Sequence, residues 1–430
     1  MTQPPTALIL AVGEEILQGR VVDTNSGLFA RILRQEGFEV RRMLTLGDDP
    51  DELGQALESH QGAFDLILST GGLGPTVDDR VRAEAAQVAG KPLVPVTGIR
   101  EKLAKLWARQ RAGETATESF LRQASVPEGA VALANAAGTA LGFALTLPQG
   151  ARLLCLPGPP REAEAAFWDG GGLQELHRWF GPRPDLAYRC FHASGLPESV
   201  VESQIRDLLQ QGGNPRLGIT ADARKVTISA LARSEPARSA EHVLDAVGTE
   251  LKQRLGDVLW GQDDQTLESV VVELLRQRKE TVAVAESCTG GRLVAALTAV
   301  PGASRVFEMG FIAYANRVKE EALAVPRSLL EAHGAVSAQV AAAMAAGVQR
   351  RAASHWGLAT TGIAGPDGGT PAKPVGLVFI GVAGPTGNFA VRRRCFARAG
   401  RSSVQQQSVR DALEALRREV LGLARLPERA

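Results

Sequence analysis

The first third of the chain alternates apolar runs with amphipathic stretches. "TALILAV" (6–12) and "FDLILST" (64–70) are almost wholly apolar, and "EVRRMLTL" (39–46) stands between them. From about Asn25, Leu28, Phe29, Ile32 and Leu33 recur at helical spacing and Gly37 closes the helix; "DELGQALESH" reads as a second, shorter helix. Apolar strands joined by helices predict a parallel sheet covered on both faces, a doubly wound α/β domain over residues 1–168. Ligands in such sheets sit beyond the carboxyl ends of the strands. Two glycine-rich segments hold that position, "GEEILQG" after the first strand and "GGLGPTVDD" after the third.

Past "DGGGL" and "FGPRPD", two breaker-rich stretches, the pattern changes. Over 169–262 it reads strand "YRCFHAS", helix "PESVVESQIRDLL", strands "RLGIT" and "KVTISALA", a helix from Pro236 to about Arg254, and strand "DVLWG". That β-α-β-β-α-β order is the split βαβ, ferredoxin-like unit, an α+β domain whose size also suits a KH module. It carries no G-x-x-G clamp and no aromatic RNA-binding strand, so a connecting or dimerising role is expected of it. Over 263–430 a second α/β domain follows. Helix "TLESVVVELLRQR" leads to strand "TVAVA", and after the turn "AESCTGG" Leu293, Ala296, Leu297 and Val300 mark one helical face. Strand "EMGFIAYA", an Ala-rich helix at 338–353, strand "LATTGIAG", a hairpin of "GLVFIGVAG" with "NFAVRRRCFA", and a terminal helix complete the domain.

Bulk composition narrows the function classes. A formal net charge of +1 argues against a nucleic-acid or membrane-surface binder. Cys155, Cys190, Cys288 and Cys395 are far apart, and with no His/Cys cluster a disulfide framework or zinc site is not expected; a reducing cytoplasm is the simplest setting. The start "MTQPPTALILAVG" has no basic leader-like region, and its apolar run is too short to span a membrane.

The turn "AESCTGG" sets Ser287, Cys288 and Thr289 side by side at a strand-to-helix junction, where main-chain N–H groups and the helix dipole favour negative charge. A hydroxyl nucleophile needs a base. None of the six histidines lies in a motif-like turn, and His333 reads as a residue near a helix end. "YANRVK" places Tyr314, Asn316 and Lys319 after a strand; a lysine acts as base only if its pKa falls by about 3 units, costing roughly 4 kcal/mol, and by itself Lys319 reads as a solvated surface residue. In "TTGIAGPDGGTPAKPVG" Gly362, Gly365, Gly368 and Gly369 either cradle a phosphate or form an ordinary Gly/Pro loop. "RRRC" (392–395) reads as an edge strand, and Arg401 is placed to face a phosphate. In the first domain, Gly71, Gly72, Gly74 and Thr76 offer main-chain donors beside Asp78 and Asp79. That pair either holds a divalent cation or forms the acidic start of a helix.

Taken together, "AESCTGGRL", "GFIAYANRVK", "HGAVS" and "TTGIAGPDGGTPAKPVGLV" resemble the C-terminal domain of the competence/damage-inducible protein A (CinA) family, a nicotinamide mononucleotide amidohydrolase. The resemblance implies that Ser287 is the nucleophile, Lys319 the base and Tyr314 a support of their proton network. It also implies an oxyanion site at Thr289, Gly290 and Gly291, nucleotide contacts from Asn316, Thr361, Gly362, Gly365 and Arg401, and no metal or cofactor for this step. The spacing ahead of Arg401 differs by about one residue from the family's. "GEEILQGRVVDTN", "STGGLGPTVDD", "NAAGTALGF" and "LPGPPREAEA" resemble the family's molybdopterin-binding-like domain, which is associated with ADP-ribose pyrophosphatase activity. This implies a divalent metal at Asp78 and Asp79, with Glu15 and Asn25 as further ligands or orienting groups. Where the family has threonine two residues after the Asp pair, this chain has Val81. The expectation is a cytoplasmic, two-site hydrolase of pyridine-nucleotide salvage, a homodimer without membrane or nucleic-acid partners. A non-enzymatic adaptor in DNA uptake or repair and a molybdopterin carrier are the alternatives.

Overall fold

The computed structural model describes residues 4–111, 114–182, 186–222, 225–385, 387–394 and 400–425. The chain folds as two compact units, residues 1–188 with 233–240, and residues 189–232 with 241–430. Cys395 lies outside the described residues.

In the first unit, strands Glu39–Leu46, Thr6–Val12, Leu66–Thr70 and Arg152–Leu156 lie side by side in that order, all parallel. Gly142–Thr146 and Val131–Leu133 extend the sheet antiparallel, so it is mixed and not wholly parallel. The central strands are apolar on both faces because both faces are covered: Ile9 and Leu68 pack with Phe29, Leu33 and Phe167, while Leu8, Leu10 and Ile67 pack with Leu53, Leu57 and Val81. Leu176, on helix Gly172–Phe180, belongs to the first of these cores, so this domain runs past residue 168. A smaller lobe holds helices Ile99–Gln110 and Glu118–Leu121 and the pair Leu93–Pro95/Ser125–Pro127, elements with no clear signal in the sequence pattern.

The second unit contains two sheets. The first has strands in the order Arg216–Asp222, Lys225–Arg233, Leu186–Ser194, Leu259–Gln262, with helices Glu198–Gln210 and Ala240–Leu255. Numbered within the domain this is 2-3-1-4, the ferredoxin-like arrangement. The second helix starts at Ala240 and not at Pro236, because Glu235 and Arg238 pair in a tight turn and the Ser234 hydroxyl accepts from the Ala240 N–H (3.0 Å). The other sheet runs Phe307–Ile312, Val282–Glu286, Trp356–Gly362, Leu377–Gly384, Gly387–Arg394; its first three strands are parallel and its last two antiparallel. Trp260, from the last strand of the smaller sheet, is buried with Leu267, Val271 and Leu275 in the core of this domain. Helix Gly400–Val420 lies against the larger sheet, and Arg417 on it donates to the Asp257 carbonyl (2.7 Å). No helix among the described residues is long and apolar enough to cross a membrane.

Candidate functional site

Five residues separate the strand Val282–Glu286 from helix Arg292–Thr298. Gly290 and Gly291 turn the chain with φ of 61° and 95°, values that L side chains adopt only with strain. Three contacts fix the turn. The Ser287 N–H donates to the Thr360 carbonyl (3.0 Å), the Thr289 and Thr360 hydroxyls are 2.7 Å apart, and the fully buried Glu286 carboxylate accepts from the N–H groups of Gly291 (2.9 Å), Leu293 (3.1 Å) and Val294 (2.7 Å). A carboxylate from the preceding strand thus caps the helix.

Lys319, on helix Asn316–Leu323, reaches this turn from below and is only 1% exposed. The solvated surface position that its sequence suggests is therefore corrected. Its Nζ lies 3.3 Å from Ser287 Oγ, 2.8 Å from the Ala313 carbonyl and 2.9 Å from the Tyr314 carbonyl. Burial pushes its pKa below that of an ordinary lysine. A neutral amine has two N–H donors and one lone pair. In the neutral form, with the two carbonyls taking the N–H groups, the lone pair would be left for the serine hydroxyl. Cys288 is packed in the hydrophobic core beneath the turn.

The remaining residues fall around this pair with different parts. Tyr314 is 61% exposed; its phenol oxygen accepts from Arg401 Nη2 (3.2 Å), and it is its carbonyl that Lys319 touches. Arg401 also donates to the Gly365 carbonyl (2.9 Å), which ties the exposed Tyr314 and Arg401 to the buried Gly365. Asn316 is exposed at the first turn of its helix, and Gly362 ends a strand. Thr361 is buried with its hydroxyl committed to the Ala335 carbonyl (2.8 Å). Of the three expected oxyanion donors, the Gly291 N–H is taken by Glu286 and that of Gly290 turns back to the Ser287 carbonyl (3.3 Å). The Thr289 N–H has no acceptor among the described residues. Sequence reasoning missed Glu286, Thr360 and Gln405, whose amide donates to the Cys288 carbonyl (2.9 Å). An acid closing an apolar strand just before a helix was the one readable signal.

In the first unit a crevice of about 530 Å³ opens at the carboxyl ends of the strands. Gly71 and Gly72 have φ of 98° and 62°; a side chain on Gly71 would meet the Val12 carbonyl at 2.0 Å and one on Gly72 the Val81 methyl at 2.4 Å. Gly74 leaves room for Asp79, whose carboxylate accepts from the Thr76 N–H (2.8 Å) and hydroxyl (2.6 Å). The helix starts at Val81, so Asp78 and Asp79 precede it in the loop and are not its first turn. Glu15, Asp78 and Asp79 all line the crevice, and so does Asp48, which sequence reasoning missed. Partial burial raises the Asp48 pKa, and repulsion from Asp78, Glu15 and Asp79 raises it further. Backbone hydrogen bonding holds the Asp78 carboxyl below its usual range. The hard oxygen donors suit a divalent cation. Yet no group of three acids, cysteines or histidines among the described residues converges on one point, so the chain alone builds no closed metal shell. Asn25 lines the crevice, donating to the Gly158 carbonyl (2.7 Å) while its own buried carbonyl oxygen has no partner among the described residues. Val81 lies in the core and off the crevice wall, so its missing hydroxyl takes nothing from the lining.

Three family models match the chain: "Probable molybdopterin binding domain" over residues 8–170, "Damage-inducible protein CinA KH domain" over 188–261 and "CinA C-terminal domain" over 264–420. A CinA-like protein of Parasynechococcus marenigrum is 40% identical over 418 residues, covering 96% of this chain and 98% of its own. One of Dictyoglomus thermophilum is 36% identical over 416 residues, covering 96% and 99%. The crystal structure of competence/damage inducible protein CihA from Agrobacterium tumefaciens is 38% identical, with a TM-score of 0.34, covering 35% of this chain and 91% of that one. Matched end to end by these relatives and part by part by these domain models, the chain belongs to the CinA family, with a molybdopterin-binding-like domain, a KH-like domain and a CinA C-terminal domain in that order.

Proposed function

We propose that the C-terminal domain hydrolyses the amide of nicotinamide mononucleotide to nicotinic acid mononucleotide and ammonia. The observation that carries this reading is a lysine buried against a serine and held by two carbonyls. Ser287 Oγ attacks the amide carbon as its proton passes to the neutral Lys319 Nζ. The oxyanion is met by the Thr289 N–H, and Lys319 returns the proton to the departing ammonia. Water then attacks the nicotinoyl ester on Ser287, giving its proton to Lys319, and Lys319 passes that proton to the departing Ser287 Oγ as the acid leaves. In this reading the exposed Arg401 guanidinium, beside Gly365 and Tyr314, binds the substrate phosphate. A non-enzymatic adaptor would have no use for the desolvation of Lys319, which costs stability. Full-length protein should release ammonia from nicotinamide mononucleotide without DNA or added metal. Ser287→Ala should lose at least about three orders of magnitude in kcat. Undiminished ammonia release by that variant would overturn the assignment.

For the N-terminal domain we infer an ADP-ribose pyrophosphatase, supported by a glycine-lined crevice whose lining includes the carboxylates of Glu15, Asp48, Asp78 and Asp79. A divalent cation, when bound together with substrate, would neutralise phosphate charge that these carboxylates otherwise repel. Asp79 holds the loop through Thr76, and Asp78 faces the crevice. Asp78→Ala and Asp79→Ala should each abolish release of AMP and ribose 5-phosphate from ADP-ribose and leave ammonia release intact. Turnover that survives EDTA would sink the cation's role, and tight pterin binding without turnover would favour a carrier.

A further inference from the structure

We propose that a second cavity beside the N-terminal crevice is a subsite for a planar heteroaromatic ring, purine or pterin, belonging to a ligand whose phosphates lie on the glycine loop. The inference rests on reading that crevice as a phosphate-ligand site. The cavity measures about 470 Å³, and Trp107 and Phe120 form its aromatic side. Pro75, Thr76 and Asp78 line both it and the crevice, so the two share one wall, the end of the glycine loop.

The aromatic pair is not simply core. Trp107 and Phe120 are both half-buried, their ring centroids 4.7 Å apart at a tilt of 51°. The guanidinium of Arg111, an exposed residue, sits 4.9 Å over the indole centroid. One face of the indole thus already holds a planar group, and the cavity, which Arg111 does not line, is left for a second flat ring against the Trp107–Phe120 pair. The shelf is also fixed relative to the crevice. Ser119, next to Phe120, hydrogen-bonds the Pro75 carbonyl. Gln123, which is 1% exposed, donates to the Phe120 carbonyl (3.0 Å) and accepts from the Thr139 hydroxyl (2.9 Å), and both Gln123 and Thr139 line the crevice. Main-chain donors for phosphate and an aromatic shelf at a fixed offset together match a rigid ligand with a charged end and a flat end.

Stacking of a base on an aromatic side chain changes affinity by about five- to a hundred-fold. The test is calorimetric binding of ADP-ribose, ribose 5-phosphate and a pterin phosphate to full-length wild type, Trp107→Leu and Phe120→Leu, with nicotinamide mononucleotide deamidation as the control for folding. Both variants should bind ADP-ribose at least about tenfold more weakly and ribose 5-phosphate as wild type does. A selective loss for the pterin phosphate instead identifies the ring as pterin. Equal losses for ligands with and without a ring, or no loss, overturn the subsite. ADP-ribose that binds in a Trp107-dependent way without being hydrolysed leaves the subsite standing and removes the pyrophosphatase reading. Failure of all three ligands to bind wild type removes both.

Discussion

At the scale of single residues, the lysine beside Ser287 governs how the C-terminal site answers to pH. Burial lowers the Lys319 pKa from its ordinary value, so in the window between the lowered and the ordinary pKa the unfolded chain holds a proton that the folded chain does not. Stability therefore rises with pH across that window, and below the folded pKa the full cost of burying the charge is felt. Activity follows the neutral amine: kcat for ammonia release should climb with pH to a plateau, with a midpoint below that of a free lysine, and Lys319→Met should lose that limb together with nearly all activity. A pH-rate profile checks both. Cys288→Ala should keep most activity, because the thiol is buried in the hydrophobic core beneath the turn; iodoacetamide inactivation of wild type with a dead Cys288→Ala would reverse the assignment. Neither the burial of Lys319 nor the exposure of Tyr314 is legible in "YANRVK". Both depend on which way a helix docks under a strand some thirty residues earlier. Val81 shows the reverse problem: its missing hydroxyl looked like a loss to the site, whereas its methyl fills the space above Gly72.

At the scale of elements, helix Arg292–Thr298 is short, seven residues, and would be marginal by propensity alone. Glu286 supplies acceptors for three N–H groups at its start. Removing them leaves buried donors without partners, each worth about 1–3 kcal/mol. Glu286→Ala should therefore destabilise the protein by roughly 3 kcal/mol or more and loosen the Ser287 turn, while Glu286→Gln, which keeps one acceptor, should cost less; urea unfolding and kcat read the two effects separately. Most strands were legible because fully apolar runs such as "LILST" and "VAVAE" have no other stable place than between two covered faces. The 93–127 lobe was not: its helix Ile99–Gln110 buries only Leu103, so its sequence carries little of the periodicity that marks a helix packed on a sheet. The capping carboxylate was equally hidden, since an acid at the end of a strand reads as a residue leaving the core.

At the scale of the whole molecule, the KH-like domain ends in two edge strands, Arg216–Asp222 and Leu259–Gln262, and such edges are commonly covered by a second copy under closed two-fold symmetry. The near-zero net charge offers little repulsion between copies. We expect a homodimer: light scattering at micromolar concentration should give about twice the chain mass of 45.5 kDa, and a value of 45.5 kDa would count against it. Helix Gly400–Val420 has a different consequence. Arg401 at its start touches Gly365 and Tyr314, Gln405 one turn later holds the Cys288 carbonyl, and Arg417 near its end is bound to the Asp257 carbonyl of the KH-like domain, beside which Trp260 fills part of the neighbouring core. The obvious place to cut the gene is at the breaker-rich "GQDDQ", where one sequence pattern gives way to the next. A fragment begun there would lose the indole from its core and the acceptor at the far end of the helix that carries Arg401. A chemist wanting the C-terminal domain alone should start the fragment ahead of the strand Leu186–Ser194 and keep the KH-like domain with it.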